Sequence, residues 1–233
     1  MKKIIIANHK MNPLTLSESI RLSVAEDFPG LYIAPPSIFL SEVKKNIKNA
    51  ELVAQDVGIS EFAVGAFTGD ISVLMLKKIG VKMVLVGHSE RRAGGETEIQ
   101  ISKKIKTVLS AGLKVVLCVG EPLVIRQKGL PAVKKFLEKQ INSAISEVRN
   151  MKEIRNLLIA YEPIWAIGSG KFASPEDVVG VVSFIKSIVS SKVLYGGSVS
   201  VENSGGFLSK PEIDGLLVGG LSLKPKEFKK IFS

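Results

Sequence analysis

Short apolar runs rich in β-branched residues alternate along this chain with longer stretches whose apolar positions recur every three or four residues. The first kind predicts buried parallel strands, the second amphipathic helices packed against them. Strands are predicted at 3–7, 31–34, 52–55, 83–86, 114–119, 157–161, 193–195 and 215–218. Helical patterns lie around 15–25, 37–46, 72–79, 96–110, 132–149, 175–189, 201–208 and 225–232. Caps mark several helix starts: Ser174 precedes Pro175 and Glu176, with Asp177 at the third helical position. The pattern makes eight strand–helix units, each near the ~30 residues that a βαβ repeat needs. Uninterrupted alternation favours an α/β fold of the closed (β/α)8 type, a parallel sheet with an outer ring of helices, over an open doubly wound sheet. No linker, low-complexity tract or composition shift marks a second domain, so residues 1–233 are expected to form a single barrel.

Composition narrows the function. An apolar fraction of 45% is enough for a substantial core, yet no apolar run has the length of a membrane span. The start, Met1-Lys-Lys-Ile-Ile-Ile running into Asn8 and His9, lacks the pattern of a secretory leader. Cys118 is the one cysteine, which excludes an internal disulfide and fits a reducing cytoplasm. A formal charge of +10 suits an anionic partner: nucleic acid, acidic lipid or a phosphorylated metabolite. The lysines come in short pairs (Lys44-Lys45, Lys103-Lys104, Lys134-Lys135, Lys229-Lys230) on what read as solvated helix faces. No aromatic-rich basic stripe accompanies them, which argues against nucleic acid.

In such a barrel every loop that follows a strand lies on one rim. Tyr161-Glu-Pro-Ile-Trp-Ala-Ile-Gly-Ser-Gly-Lys171 is the most informative of these loops. It delivers a single carboxylate, Glu162, at a strand's C-terminal end. The segment after it is stiff at Pro163 and Trp165 and permissive at Gly168, Ser169 and Gly170. That suits an accurately placed base beside a moving loop, or an ordinary connection with a solvated Glu. Asn8, His9 and Lys10 follow the first strand; Lys10 is either an anion-neutralising group or a surface lysine. Gly87-His88-Ser89-Glu90-Arg91-Arg92 follows the fourth, and a neutral His88 could polarise a carbonyl or be a structural histidine. Cys118 reads as packing, and Glu121 as support for the moving segment. Two glycine pairs, Gly196-Gly197 before Ser198 and Gly219-Gly220, fall after the seventh and eighth strands. Glycines there let backbone N–H groups approach a phosphate. No metal-ligand cluster or dinucleotide fingerprint is present, so neither a metal nor a cofactor is expected. The set suits proton abstraction beside a carbonyl in a small phosphorylated substrate.

These residues resemble the triosephosphate isomerase family. The matching segments are Asn8–Asn12, Gly65–Gly69, Val86–Arg92, Cys118–Glu121, Ala160–Lys171, Leu194–Val199 and Asp214–Gly220, in the family's order across nearly the whole chain. The resemblance implies Glu162 as the base, His88 as a neutral electrophile, Lys10 with Asn8 as the electrostatic anchor, and Glu90 as a supporting carboxylate behind the site. It implies phosphate binding by Gly168, Ser198, Gly219 and Gly220. It implies a lid formed by Pro163, Ile164, Trp165, Ala166, Ile167, Gly168, Ser169, Gly170 and Lys171. Thr68 resembles the tip of a loop that reaches into a neighbouring subunit, so a homodimer is implied. The chain also departs from the family: His9 stands where Trp is usual, Phe172 where Thr is usual, and Leu221 where Ala is common. The stretch Arg92–Glu96 is one residue short, and the first helix is shortened.

Overall fold

The computed structural model describes residues 3–60, 64–148, 154–167 and 173–232. Eight strands, β1 (Ile4–Asn8), β2 (Leu31–Ala34), β3 (Glu51–Ala54), β4 (Val81–Val86), β5 (Lys114–Val119), β6 (Leu157–Tyr161), β7 (Lys192–Tyr195) and β8 (Gly215–Val218), pair in parallel and in sequence order. β8 returns to β1, and the sheet is a closed barrel. The helices are α1 (Leu16–Ala25), α2 (Leu40–Asn46), α3 (Val73–Lys78), α4 (Ser89–Ala93), α5 (Glu98–Ser110), α6 (Leu123–Arg126), α7 (Leu130–Ala144), α8 (Pro175–Ile188), α9 (Val201–Leu208) and α10 (Pro225–Phe228).

Local chemistry explains the helix starts. Thr15, Thr97 and Ser200 each close a capping box with the residue three positions on, and Ser174 accepts the Asp177 N–H at 3.1 Å. Several boundaries differ from the sequence pattern. The 37–46 stretch opens with a 3-10 turn, Ser37–Phe39, behind a proline pair that donates no N–H. The 132–149 pattern begins at Leu130 and ends at Ala144, and the 225–232 pattern is a short helix followed by a 3-10 turn.

Strand alternation sorts the core into two layers. Ile6, Val53, Met83, Leu85, Val116, Cys118, Leu158, Ala160, Leu194 and Leu217 fill the barrel interior. Their neighbours, among them Ile5, Val84, Leu117, Ile159 and Val193, face the helices in the larger layer. Extending the inward register one step past each strand's last interior residue brings Asn8, Gly120, Glu162, Gly196 and Gly219 to the mouth. With Pro36, Gln55 and Gly87, which the same step brings up from β2, β3 and β4, the rim gains one carboxylate, two amides and four glycines.

Closure leaves no room for a side chain at one position of the β1–β8 seam, where Gly215 pairs with Ile4. A Cβ on Gly215 would stand 1.8 Å from the Ile4 carbonyl oxygen. We expect Gly215→Ala to destabilise the fold by about 3 kcal/mol, or roughly 10 °C in melting temperature. Gly180, inside α8, has open space around its Cβ position. Gly180→Ala should be neutral or stabilise by up to about 1 kcal/mol. Thermal unfolding of the two variants beside the parent separates a packing glycine from an incidental one.

Candidate active site

Glu162 is fixed by its backbone before its side chain enters. Its N–H donates to the Val119 carbonyl at 2.7 Å, and Gly196 donates to the Tyr161 carbonyl at 2.9 Å. β5 comes so close that a Cβ on Gly120 would lie 1.7 Å from the Glu162 carbonyl oxygen. On the other side a Cβ on Gly196 would lie 2.9 Å from Glu162 Cγ. The carboxylate that results is 2% exposed; its Oε2 accepts the Ser89 N–H at 3.2 Å, and its Oε1 lies 3.3 Å from His88 Nε2.

His88 leaves β4 through Gly87, whose φ of 70° turns the chain off the strand. The imidazole caps α4, with Nδ1 accepting the Glu90 N–H at 3.2 Å. With Nδ1 turned to the Glu90 N–H, the other ring nitrogen, Nε2, is the one that faces Glu162. Arg92 stitches the turn in place. It donates to the Gly87 carbonyl at 2.7 Å and the Cys118 carbonyl at 3.3 Å, and pairs with Glu98 at 2.6 Å. The shortened stretch beyond it closes through buried Lys104, which pairs with Glu96 and, at 2.6 Å, with Asp56.

Lys10 brings a cation to the same space. Its Nζ lies 2.5 Å from Glu90 Oε1, and its backbone is left-handed at φ 54°. Asn8 Oδ1 accepts the Lys10 N–H at 3.1 Å. Glu90 is more than half exposed, faces Lys10 and borders the same cavity. Together these residues line a cavity of about 600 Å³ with Gly196, Gly197, Ser198, Gly219, Gly220 and Leu221. Ser198 donates its hydroxyl to the Ala166 carbonyl at 2.5 Å, tying the β7 loop to the 3-10 turn Ile164–Ala166. Trp165 of that turn donates to buried Glu121 at 2.9 Å, as Tyr161 does at 3.1 Å. Glu121 therefore holds the segment that follows β6.

Among the expected residues, Asn8, Lys10, His88, Glu90, Glu162, Ser198, Gly219 and Gly220 come together around this cavity. Gly168, Ser169, Gly170 and Lys171, with Phe172, lie outside the described residues. Thr68 is exposed on the 64–69 segment, away from the cavity lining. The second rim histidine, His9, also borders the cavity but is wholly buried, with its ring Nε2 2.7 Å from Glu26 Oε2. Burial raises the Glu26 carboxyl above its ordinary value, and His9 offsets part of that rise. Gln55, not singled out in the sequence, donates to the Lys10 and Ala34 carbonyls at 2.8 Å each. Among the described residues no group of three or more His, Cys, Asp or Glu side chains is placed to hold a metal ion. No described helix is long and apolar enough to cross a membrane.

Comparison with known proteins bears on this arrangement. A family model described as Triosephosphate isomerase matches residues 3–233. A protein of that name from Buchnera aphidicola subsp. Schizaphis graminum is 42% identical over 249 aligned positions, covering 99% of this chain and 96% of the relative. Its counterpart in Lawsonia intracellularis is 39% identical over 248 positions, covering 99% and 97%. That of Thermoanaerobacter pseudethanolicus is 39% identical over 251 positions, covering 99% and 98%.

The buried phenols around the rim give the fold a signature that needs no ligand. Burial, then the Glu121 carboxylate, pushes Tyr161 far above the ordinary tyrosine range of 10.0. Burial pushes Tyr195 up to about 12 and also raises Tyr32, the remaining tyrosine. Folded protein should show little tyrosinate absorbance at pH 10, and unfolding at that pH should bring the three tyrosines to about half ionisation. Because the folded pKa values are raised, stability holds below pH 10 and falls as pH climbs toward 12. Absorbance at 295 nm during a pH titration, with and without denaturant, checks both statements.

Proposed function

The chain belongs to the triosephosphate isomerase family, and we propose that it interconverts dihydroxyacetone phosphate and D-glyceraldehyde 3-phosphate, with Glu162 as base and His88 as its neutral partner. The observation that carries this reading is the facing of Glu162 Oε1 and His88 Nε2 across 3.3 Å, each group oriented from behind by a backbone N–H. A site that only bound phosphate would have no need of that pair.

The proposed reaction uses each group once in each direction. Glu162 takes a proton from the hydroxyl-bearing carbon of dihydroxyacetone phosphate, and the electrons move onto the carbonyl oxygen to give an enediolate. His88, donating through Nε2–H, stabilises the developing charge and passes a proton between the two oxygens. Glu162 then returns its proton to the neighbouring carbon. The contact between Glu162 and His88 leaves no room for a substrate carbon between them, so substrate entry must displace it. Lys10 offers a fixed positive charge beside the oxygens, with Asn8 holding its backbone. Around the phosphate, Gly219 and Gly220 would present backbone N–H groups without a Cβ in the way, and Ser198 would exchange Ala166 for a phosphate oxygen.

The resemblance supports the wider proposal. The 163–171 segment would act as a lid, closing over the enediolate to exclude water and prevent loss of phosphate. The turn Ile164–Ala166 would be its base, held by Glu121 throughout and by Ser198 until phosphate binds. Thr68 would reach into a second copy of the chain to form a homodimer, and Val64 and Phe67 expose apolar surface on the same segment. The enzyme would use no cofactor and serve glycolysis and gluconeogenesis in the cytoplasm.

A coupled assay on purified protein tests the assignment. The parent should convert both substrates, and Glu162→Asp and His88→Gln should each lower kcat/KM by about 10²–10⁴-fold while unfolding at a temperature close to the parent's. An inactive, folded parent, or two variants as active as the parent, would defeat it. Sedimentation equilibrium should return the mass of two chains; a monomer would remove the dimer.

A further inference from the structure

Lys10 is the one non-glycine residue with a positive φ among the described residues. A left-handed backbone is disfavoured for an L side chain and persists where the surroundings over-determine it. Asn8 and Gln55 hold the two peptide groups of Lys10 itself. One residue earlier the chain is pinned by different means. His9 donates its backbone N–H to the Ala34 carbonyl at 3.1 Å, and its ring Nε2 lies 2.7 Å from Glu26 Oε2. Both residues are 0% exposed. Glu26 is the C-cap of α1, so this bond ties the chain leaving β1 to the far end of that helix. His9 Nδ1 and Glu26 Oε1 have no hydrogen-bond partner among the described residues, so one bond carries the pair. Two ionisable groups buried for one bond are no better for stability than apolar packing of the same volume. Stability alone therefore gives no reason for the pair.

We propose that the buried His9–Glu26 pair is a positioning device for Lys10, fixing the direction in which the chain leaves β1 so that the left-handed residue after it aims its ammonium into the cavity. Lys10 arrives there with its Nζ beside Glu90 and its Cε 3.1 Å from where a Cβ on Gly219 would stand. His9 and Glu26 act through Lys10 and do not touch the substrate. The proposal rests on the reading of Lys10 as the cation that anchors the substrate.

The test replaces the pair by apolar volume, His9→Phe with Glu26→Leu, in the parent and in a Lys10→Met background. All four full-length proteins are compared by thermal unfolding and by steady-state isomerase kinetics. The pair replacement should unfold at or above the parent's temperature. It should nevertheless lose about 10²-fold in kcat/KM, chiefly through a raised KM, since a small misplacement of a charged group is costly. In the Lys10→Met background the same replacement should change kcat/KM by less than about twofold, because the cation it places is gone. A crippled Lys10→Met together with a kinetically silent pair replacement overturns the pair proposal alone. A Lys10→Met variant as active as the parent overturns the reading of Lys10, and the pair proposal with it. Should the double replacement fail to fold, single variants carry the test: Glu26→Gln keeps an oxygen for the imidazole N–H, and Glu26→Leu does not. Activity retained in Glu26→Gln and lost in Glu26→Leu supports the proposal, and equal effects of the two overturn it.

Discussion

The backbone of Glu162 is clamped between two strand ends, with its N–H on the Val119 carbonyl at 2.7 Å and the preceding carbonyl accepting Gly196 N–H at 2.9 Å. The contact with β5 would not survive a side chain on Gly120, whose Cβ would fall 1.7 Å from the Glu162 carbonyl oxygen. The rest of the rim depends on this clamp. It fixes where the carboxylate meets Ser89 and His88, and it starts the turn whose Trp165 lands on Glu121. Gly120 and Gly196 thus make room for Glu162 by staying small. The proposed phosphate contacts come from Ser198 after β7 and from Gly219 and Gly220 after β8.

Polar groups at the rim are buried in an order that a core built for stability would avoid. Glu162, Glu121, His88 and the His9–Glu26 pair are buried beside an apolar core, in company with Asn8, Gln140 and Ser222. Each is oriented by at least one hydrogen bond, and most of those bonds come from a different strand or helix. A carboxylate and an imidazole brought together at the mouth of a dry barrel interact more strongly than they would in water. The scaffold holds both groups through backbone N–H donors, Ser89 on Glu162 and Glu90 on His88.

The barrel was legible because its strands are buried on both faces, which writes them as apolar runs separated by helical periodicity. Glu162 and His88 were legible because each directly follows such a run. Their 3.3 Å contact was not, since it joins loops 74 positions apart in the chain and only closure of the sheet unites them. The same limit hid the His9–Glu26 pair: a histidine at a strand end reads as a rim residue until the helix that covers it is placed. Gln55 was hidden for a related reason, as its target is the Lys10 carbonyl and backbone acceptors leave no mark in a sequence. Helix ends shifted where prolines or short caps overrode periodicity, as at Ser37–Phe39.

The central claim is that a carboxylate at the end of β6 moves a proton between substrate carbons. Running the isomerisation in heavy water and following the product by proton NMR tests it most directly. A carboxylate base exchanges its captured proton with solvent in a fraction of turnovers before returning it, so part of the product should carry deuterium on the carbon that receives the proton. Product that retained every carbon-bound hydrogen of the substrate, with none from solvent, would mean a direct hydride shift and would contradict the account.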